Sequence, residues 1–267
     1  MIEVFILGIV QGIIEWLPLS SEGATIAVKN IFFPDEQSLN DLIQLSLFLH
    51  LGTFFAALIY FKKEVLKLIK NIFQPREKDP ENRKILWFLI ISTPISGALG
   101  FSLLTILKGF EEVLVAGSVY INILIGLMLL ITAFLQMRPA RTKQPKGSTE
   151  IRLKDSILLG VVQGFAVIPG LSRSGLTVST LLLRNFNDVL ALKLSFLMSL
   201  PIVLAGNIVL NMGMFQEGIT SEIIIALVAS FLAGLLTIHL LLKVAKKINF
   251  AYFTLGFAIL VILGAFI

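Results

Sequence analysis

The first apolar stretch of the chain is interrupted in its middle: residues 4–28 read VFILGIVQGIIEWLPLSSEGATIAV. The run 4–14 is too short to cross a bilayer, which takes about 20 apolar residues. Pro18 and the polar residues around it separate this run from a second short apolar limb. Irregular backbone at membrane depth is tolerated only inside protein or beside a water-filled cavity. The pattern therefore predicts a re-entrant helical hairpin.

A second interrupted stretch follows far along the chain, where residues 156–183 read SILLGVVQGFAVIPGLSRSGLTVSTLLL. Its Gly160–Gly164 segment (GVVQG) matches Gly8–Gly12 (GIVQG) at an offset of 152 residues. Downstream, residues 194–196 (LSF) match residues 45–47 (LSL) at an offset of 149. We interpret the match as an internal repeat; the alternative is chance similarity between two apolar segments.

Composition excludes a soluble or disordered chain, because 56% of the 267 residues are hydrophobic and only 15% are charged. The chain has no cysteine, which excludes disulfides and thiolate sites, and its two histidines argue against a protein-only zinc site. Six segments have the length and composition of membrane spans: Leu42–Phe61, Ile85–Leu107, Val113–Met137, Val189–Met212, Ile223–Leu242 and Ile248–Ile267.

Basic residues are concentrated in alternate connectors, eight of them in residues 62–84 and six in residues 138–154. The predicted location is the cell membrane (plasma or inner membrane). The positive-inside rule places these connectors on its cytoplasmic side and both termini outside. The basic residues that give the net charge of +5 then face lipid headgroups, so no nucleic-acid partner is expected. The opposite loops are acidic: Asp35, Glu36, Asp41, Glu111, Glu112, Glu217 and Glu222.

These observations predict an all-α polytopic membrane protein with six transmembrane helices and two re-entrant hairpins. Residues 1–267 form one integral membrane domain. The first repeat spans residues 1–137, with its hairpin at 1–34, and the second spans 153–267, with its hairpin at 153–185. Because each repeat has three spans, an odd number, the second is inserted upside down, as in inverted-repeat transporters. The first hairpin then enters from outside and the second from the cytoplasm, so that their tips meet.

Ionisable groups at membrane depth are costly and usually functional. The candidates are Glu15 and Glu22 in the first hairpin and Arg173 in the second. Arginine presents a planar fork of donors that suits phosphate. Glu15 either transfers a proton or only pairs with Arg173. In the structural alternative, Arg173 caps carbonyl groups or pairs with Glu15 and so holds the two hairpins together.

The segment 169–175, PGLSRSG, has the features of an anion cradle. Ser172 and Ser174 add hydroxyl donors beside Arg173, Gly170 allows close approach, and a helix that begins near Ser174 directs its amides at an anion. In the first hairpin, the hydroxyls of Ser20 and Ser21 either act as nucleophiles or cap the second limb. Gln11 lies one turn before Glu15 on the same helix face. His50 is interpreted as a buried hydrogen-bonding residue rather than a base.

Four segments carry a resemblance to a known family: residues 11–23 (QGIIEWLPLSSEG), 50–53 (HLGT), 169–177 (PGLSRSGLT) and 195–201 (SFLMSLP). In these segments, and in order along essentially the whole chain, the sequence resembles the undecaprenyl pyrophosphate phosphatase family, also called bacitracin-resistance proteins. The resemblance implies a membrane hydrolase that converts a C55 polyprenyl diphosphate to the monophosphate carrier for cell-wall (peptidoglycan) synthesis. It also implies the inverted repeat and a site open to the outer side.

Carried over by position, the resemblance puts the family's acidic pair on Gln11 and Glu15, its serine pair on Ser20 and Ser21, and its essential arginine on Arg173. The sequence departs from the family at Ala24, where the family usually has a histidine after Ser-Ser-x-Gly. Glu22 stands where Thr is common. Either Glu22 substitutes for the histidine, or hydrolysis is weakened, or the chain is altered or specialised.

The sequence thus predicts a polyprenyl diphosphate phosphatase in which Glu15, Ser21 and Arg173 are catalytic, with a Glu15-activated water as the competitor of Ser21. A divalent cation, Mg²⁺ or Ca²⁺, fits between phosphate and Glu15. A polyprenyl-phosphate flippase and a non-catalytic lipid-binding relative are the alternatives, and a homodimer stays open. The predicted substrate-binding residues are Gln11, Ser20, Glu22, Gln163, Gly170, Ser172, Ser174 and Thr177.

Overall fold

The computed structural model describes residues 1–17, 20–33, 39–73, 79–109, 118–137, 145–168, 171–212, 220–244 and 250–264. These parts of the chain are almost entirely helical, with two short 3₁₀ turns and one isolated β-bridge between Lys146 and Phe186. Eleven α-helices are described: α1 Ile2–Ile14, α2 Ser21–Phe32, α3 Leu39–Tyr60, α4 Lys62–Phe73, α5 Pro80–Gly109, α6 Ser118–Gln136, α7 Leu153–Gly164, α8 Arg173–Leu183, α9 Asp188–Leu210, α10 Ser221–Val244 and α11 Phe250–Gly264.

The helices agree with a multi-pass membrane protein. Within the described residues, three helical segments are long and apolar enough to cross a bilayer: Pro80–Ile106, Asp188–Leu210 and Ser221–Leu240. A fourth span results if α3 and α4 are counted as one broken segment, since α4 turns away from α3 by 82°. The all-α membrane class is therefore confirmed, with three to four candidate spans, and the count of six stays a prediction.

Both interrupted stretches form a pair of short helices. In the first, α1 ends at Ile14 and α2 begins at Ser21; in the second, α7 ends at Gly164 and α8 begins at Arg173. The prolines expected to cause the breaks, Pro18 and Pro169, lie outside the described residues, as does the predicted site residue Gly170.

An ion pair joins the two limbs of each hairpin away from its tip. In the first hairpin, Lys29 Nζ lies 2.7 Å from Glu3 Oε1. In the second, Arg184 Nε lies 2.8 Å from Asp155 Oδ1. Each acid belongs to the first turn of its helix and each base to the end of the next, where the helix dipoles favour these charges.

Glycines seat the first limb of each hairpin against a long helix from the other half of the chain. A Cβ atom on Gly12 of α1 would lie 2.6 Å from the Ser230 carbonyl oxygen of α10. A Cβ atom on Gly164 of α7 would lie 2.8 Å from the Leu99 Cβ of α5. Each limb thus approaches its partner helix more closely than any residue with a side chain permits, and this contact fixes where each hairpin tip lies.

Candidate functional site

The carboxylate of Glu15 lies at the tip of the first hairpin, directly after α1. It is 5% exposed, and its Oε2 accepts hydrogen bonds from Gln11 Nε2 at 2.9 Å and from Ser21 Oγ at 2.7 Å. Its Oε1 accepts a hydrogen bond from Arg173 Nη2. Glu15 is therefore the acceptor on which side chains from both hairpins converge.

Arg173 is the first residue of α8, at the tip of the second hairpin. One arm of its guanidinium pairs with Glu15, whereas its buried Nη1 has no hydrogen-bond partner in the described part of the chain. Beside it, Ser174 Oγ donates to the Leu17 carbonyl oxygen at 2.9 Å. Two contacts thus hold the tips together, and one arginine donor is left for an anion.

The two serines of the first tip have different partners. Ser20 is the N-cap of α2 and accepts a hydrogen bond from the Gly23 amide at 3.0 Å. Ser21, the next residue, directs its hydroxyl at Glu15. Ser20 is therefore the helix cap, whereas the hydroxyl of Ser21 points at the Glu15 carboxylate.

A histidine from α3 completes the cluster. His50 Nε2 lies 3.2 Å from Glu15 Oε2 and 3.3 Å from Ser21 Oγ. Its Nδ1 lies 2.7 Å from the Ser46 carbonyl oxygen one turn earlier in α3. Burial and hydrogen bonding agree with the sequence interpretation of His50, but the partners do not, because they place this residue inside the site.

The first tip is anchored by Trp16, which is 2% exposed. Its indole Nε1 donates to the Gly234 carbonyl oxygen of α10 at 2.8 Å. Its ring meets Phe196 of α9 edge to face, with ring centroids 5.3 Å apart. Glu15 is thus held by a neighbour fixed on two long helices, which pre-organises its carboxylate.

The tips enclose a polar cleft with about 300 Å³ of empty space. The carboxylates of Glu15 and Glu22 and the guanidinium of Arg173 line it, so charges of both signs border the cleft. Its lining consists of Glu15, Ser20, Ser21, Glu22, His50, Ala166, Leu171, Arg173 and Ser174.

An apolar groove of about 1470 Å³ adjoins the cleft and shares Glu22, His50 and Arg173 with it. The second half of α5, the end of α7 and the last turns of α9 form its walls. The wall residues include Gly97, Gly100, Phe101, Leu104, Gln163, Val167, Ile202, Val203, Gly206, Val209 and Leu210. A polar cleft that opens into a long apolar groove suits an amphipathic ligand with a charged head.

The remaining predicted site residues lie at different depths. Gln11 and Ser172 are fully buried behind the cleft, and Ser172 is the N-cap of α8. Gln163 donates to Ser96 Oγ at 3.1 Å and lines the groove. Thr177 makes hydrogen bonds to the Arg173 carbonyl oxygen and to Ser195, so its hydroxyl supports α8 and does not face the cleft.

Sequence reasoning left His50 out of the site. An ionisable side chain inside an apolar span is itself a signal of function, and this signal was available. The sequence alone does not show which face of α3 meets the hairpin tips, and the place of His50 in the site depends on that face.

The fold and the cleft define a class: a multi-pass, all-α membrane protein with carboxylate, hydroxyl, imidazole and guanidinium groups gathered at the tips of two broken helices. The chain belongs to the bacitracin resistance protein BacA family, whose match covers residues 4–265. The family expected from the sequence is therefore confirmed.

Several relatives are similar over nearly their full length. The chain is 43% identical to an undecaprenyl-diphosphatase of Methanococcoides burtonii, over 99% of this chain and 98% of that protein. It is 34% identical to an undecaprenyl-diphosphatase of Haloarcula marismortui, over 92% and 90% of the two chains. It is also 34% identical to undecaprenyl-diphosphatase 2 of Halalkalibacterium halodurans, over 97% and 94%.

Proposed function

We propose that the protein hydrolyses undecaprenyl diphosphate to the monophosphate and inorganic phosphate in the cleft between the hairpin tips. The observation that carries the proposal is the arrangement around Arg173, whose Nη1 lacks a partner among the described residues while Ser21 and Glu15 line the same cleft. The names of the relatives supply the substrate class.

The cleft offers several donors to a diphosphate. The free arm of Arg173 supplies a charge-assisted hydrogen bond. The first turns of α2 and α8 both border the cleft, and the N-terminus of a helix favours an anion. These groups are fixed before the substrate arrives, so they stabilise the charge that develops on the transferred phosphoryl group.

Ser21 is the proposed nucleophile. Its hydroxyl is hydrogen-bonded to Glu15 and lies in the cleft that receives the phosphate. Attack by Oγ on the terminal phosphorus breaks the bond to the bridging oxygen and releases the prenyl monophosphate. Water then cleaves the phosphoserine and releases inorganic phosphate. Acid-stable incorporation of label from a terminally ³²P-labelled substrate into the wild type, and none into Ser21→Ala, distinguishes this route from direct attack by water.

The apolar groove is the proposed site of the isoprenoid chain. It begins at residues that also line the cleft, so a lipid with its head beside Arg173 extends its tail along α5 and α9. Replacing Gly206, whose Cβ would meet only Leu47 atoms at 3.7 Å or more, by Trp is expected to fill the groove. The KM for the long-chain substrate then rises more than the KM for a water-soluble diphosphate.

We further propose six spans in two inverted repeats, with the site open to the outer side. The contacts support exchange between the halves: α1 packs on α10 as α7 packs on α5, and the third spans, α6 and α11, pack together. With cytoplasmic basic connectors, the groove lies in the outer halves of α5 and α9. Because the chain lacks cysteine, Thr220→Cys should react with an impermeant maleimide in intact cells and Lys63→Cys only after permeabilisation. The reverse pattern would overturn the orientation.

A divalent cation remains part of the proposal only as a companion of the substrate. Among the described residues, no three His, Asp or Glu side chains are arranged to hold a metal ion. Both oxygens of Glu15 accept hydrogen bonds from described side chains, so we propose Glu22 in its place as the protein ligand. Glu22, which lines the cleft, would hold such a cation together with phosphate oxygens of the substrate, and the cation would neutralise phosphate charge.

The test is phosphate release from undecaprenyl diphosphate by purified protein in detergent. We expect the wild type to release phosphate and Arg173→Ala to lose about 10³-fold or more of the rate. Arg152→Ala, an exposed arginine of the same hairpin, is the matched control and should retain the rate. Equal rates for the wild type and Arg173→Ala would overturn the proposal. Lipid translocation by a wild type without hydrolysis would support the flippase alternative.

A further inference from the structure

His50 is within reach of both the proposed nucleophile and the carboxylate that binds it. We propose that His50 is the proton acceptor for Ser21, that the Ser46 carbonyl oxygen orients the imidazole, and that Glu15 balances the charge it gains. The inference rests on the proposed phosphatase function and assigns a catalytic role to a residue of α3, outside both hairpins.

The Ser46 carbonyl oxygen sets the protonation of the ring. A carbonyl only accepts hydrogen bonds, so His50 Nδ1, at 2.7 Å from it, carries a hydrogen. In the neutral ring the lone pair is therefore on Nε2, which lies 3.3 Å from Ser21 Oγ. A nucleophile, a base within hydrogen-bond reach and a third group that orients the base form the arrangement that activates serine in hydrolytic enzymes.

Glu15 is better placed to stabilise the proton on His50 than to keep it. Its Oε1 pairs with Arg173, and its Oε2 already accepts hydrogen bonds from Gln11 and Ser21. A proton on Glu15 would deprive the Arg173 guanidinium of its counter-charge. A proton on His50 Nε2 faces Glu15 Oε2 at 3.2 Å and forms an ion pair.

The proton and the bonds balance over one cycle. As Ser21 Oγ attacks the terminal phosphorus, its hydroxyl turns from Glu15 to His50, its proton moves to His50 Nε2, and the bond to the bridging oxygen breaks. The imidazolium gives this proton to the leaving monophosphate. In the second half, His50 takes a proton from the attacking water and returns it to Ser21 Oγ as the phosphoserine bond breaks.

The first hairpin has no imidazole of its own, because Ala24 occupies the place after Ser-Ser-x-Gly. Ala24 is fully buried on α2. Glu22 lines the cleft, but within the described parts of the chain it has no orienting hydrogen bond comparable with that between His50 and Ser46. The charged groups that line the cleft beside the imidazole are Glu15, Glu22 and Arg173. All three therefore influence the ionisation of His50.

The experiment compares His50→Gln with the wild type in phosphate release. Glutamine retains hydrogen bonding but cannot take up a proton. We expect kcat to fall about 10²–10⁴-fold with little change in KM, and the decline of wild-type kcat at acidic pH to disappear. Added imidazole should restore part of the activity of His50→Ala but none to Arg173→Ala. If His50→Gln had the wild-type kcat and the same decline of kcat at acidic pH, the proposed role of His50 would be overturned.

His239→Gln is the matched control. His239, the other histidine of the chain, contacts Tyr60 Oη at 3.2 Å in an exposed position, so its loss should leave kcat and the acidic limb unchanged. The same assays separate the two proposals. A wild type as inactive as Arg173→Ala refutes the phosphatase itself, whereas an active wild type with an equally active His50→Gln refutes only His50.

A chemical test does not depend on how the His50 variants fold. In His239→Gln the sole histidine is His50, which lines the cleft and has a side chain 15% exposed. Diethyl pyrocarbonate should carbethoxylate it, abolish phosphate release, and be reversed by hydroxylamine. Full activity of protein modified at His50 would contradict the proposal.

Discussion

The two hairpins share a frame and differ at their tips. Ser20 and Ser172, 152 residues apart, cap α2 and α8 by accepting hydrogen bonds from the Gly23 and Gly175 amides. The same spacing relates the glycines that seat α1 and α7 against α10 and α5. The helix cap and the close glycine contact thus occur at corresponding positions of both hairpins.

The residues that follow each cap have opposite chemistry. Ser21 in the first hairpin corresponds to Arg173 in the second, and Glu15 corresponds to Val167. One tip therefore supplies hydroxyl and carboxylate, and the other supplies a cation that pairs with that carboxylate. The hairpins thus match in position and differ in the chemistry of their tips, and one variant of the first tip and three pairs of variants test how far the equivalence extends.

The largest expected effect comes from removing what is unique to the first tip. Ser21→Ala removes the nucleophile, so kcat for phosphate release should fall about 10³-fold or more. Ser102→Ala, an exposed serine on α5, is the control and should retain wild-type kcat. A Ser21→Ala protein with normal turnover would leave water, not Ser21, as the nucleophile.

The two ion pairs that join the limbs of each hairpin away from its tip should differ in their contribution to stability. Glu3→Gln removes the Glu3 carboxylate from the Lys29 ammonium, which is 1% exposed and also donates to the Phe33 carbonyl oxygen, and should cost about 2–3 kcal/mol. Asp155→Asn should cost less, because the Arg184 side chain is 29% exposed and reaches water. Thermal unfolding in detergent measures both.

Glu222→Gln serves as the control for these ion pairs. Its partner is the N-terminal amine, and both groups are more than half exposed, so the Tm should hardly change. If Asp155→Asn proved more destabilising than Glu3→Gln, burial of the cation would not be what distinguishes the two hairpins.

Gly12 and Gly164, at which α1 and α7 pack closely against α10 and α5, should show a smaller difference in stability. Gly12→Ala brings a methyl group to within 2.8 Å of two backbone atoms of α10, whereas Gly164→Ala meets side-chain atoms of Leu99, the nearest of which is its Cβ at 2.8 Å. We expect a loss of about 2–3 kcal/mol for Gly12→Ala and about 1 kcal/mol for Gly164→Ala. At Gly256 in α11 no atom of the described residues lies within 4 Å of the new Cβ, so Gly256→Ala should not lower the Tm. Equal losses at Gly12 and Gly164 would mean that the two seats are equally rigid.

The helix caps should show the smallest effects and the closest equivalence. Ser20→Ala and Ser172→Ala each remove one cap bond and should cost about 1 kcal/mol. Ser20→Asn and Ser172→Asn should recover most of that loss, because asparagine caps well. Unequal losses in unfolding measurements would show that the two breaks are not built alike.

Much of this arrangement could be predicted from the sequence. Short apolar limbs around polar breaks predicted both hairpins, and the scarcity of charge at membrane depth singled out Glu15 and Arg173, which the structure brings into contact. Interrupted hydrophobicity and buried charge are local properties, so they can be read from a single chain.

The division of roles within the site could not be predicted. Ser20 and Ser21 are both serines at a break, and only the direction of each hydroxyl separates the cap from the candidate nucleophile. Thr177 was expected in the binding site but supports α8 from within. His50 enters through the rotation of α3 against the tips, which depends on packing across the whole molecule.

The central claim is that two tips, 158 residues apart at Glu15 and Arg173, act as one site. A double-mutant cycle on kcat/KM for undecaprenyl diphosphate tests it most directly, with Glu15→Gln, Arg173→Ala and the combined variant. Groups that act as a unit lose activity non-additively. We predict that the double variant is about as impaired as the worse single variant. A double variant whose loss equals the product of the two single losses would contradict the account.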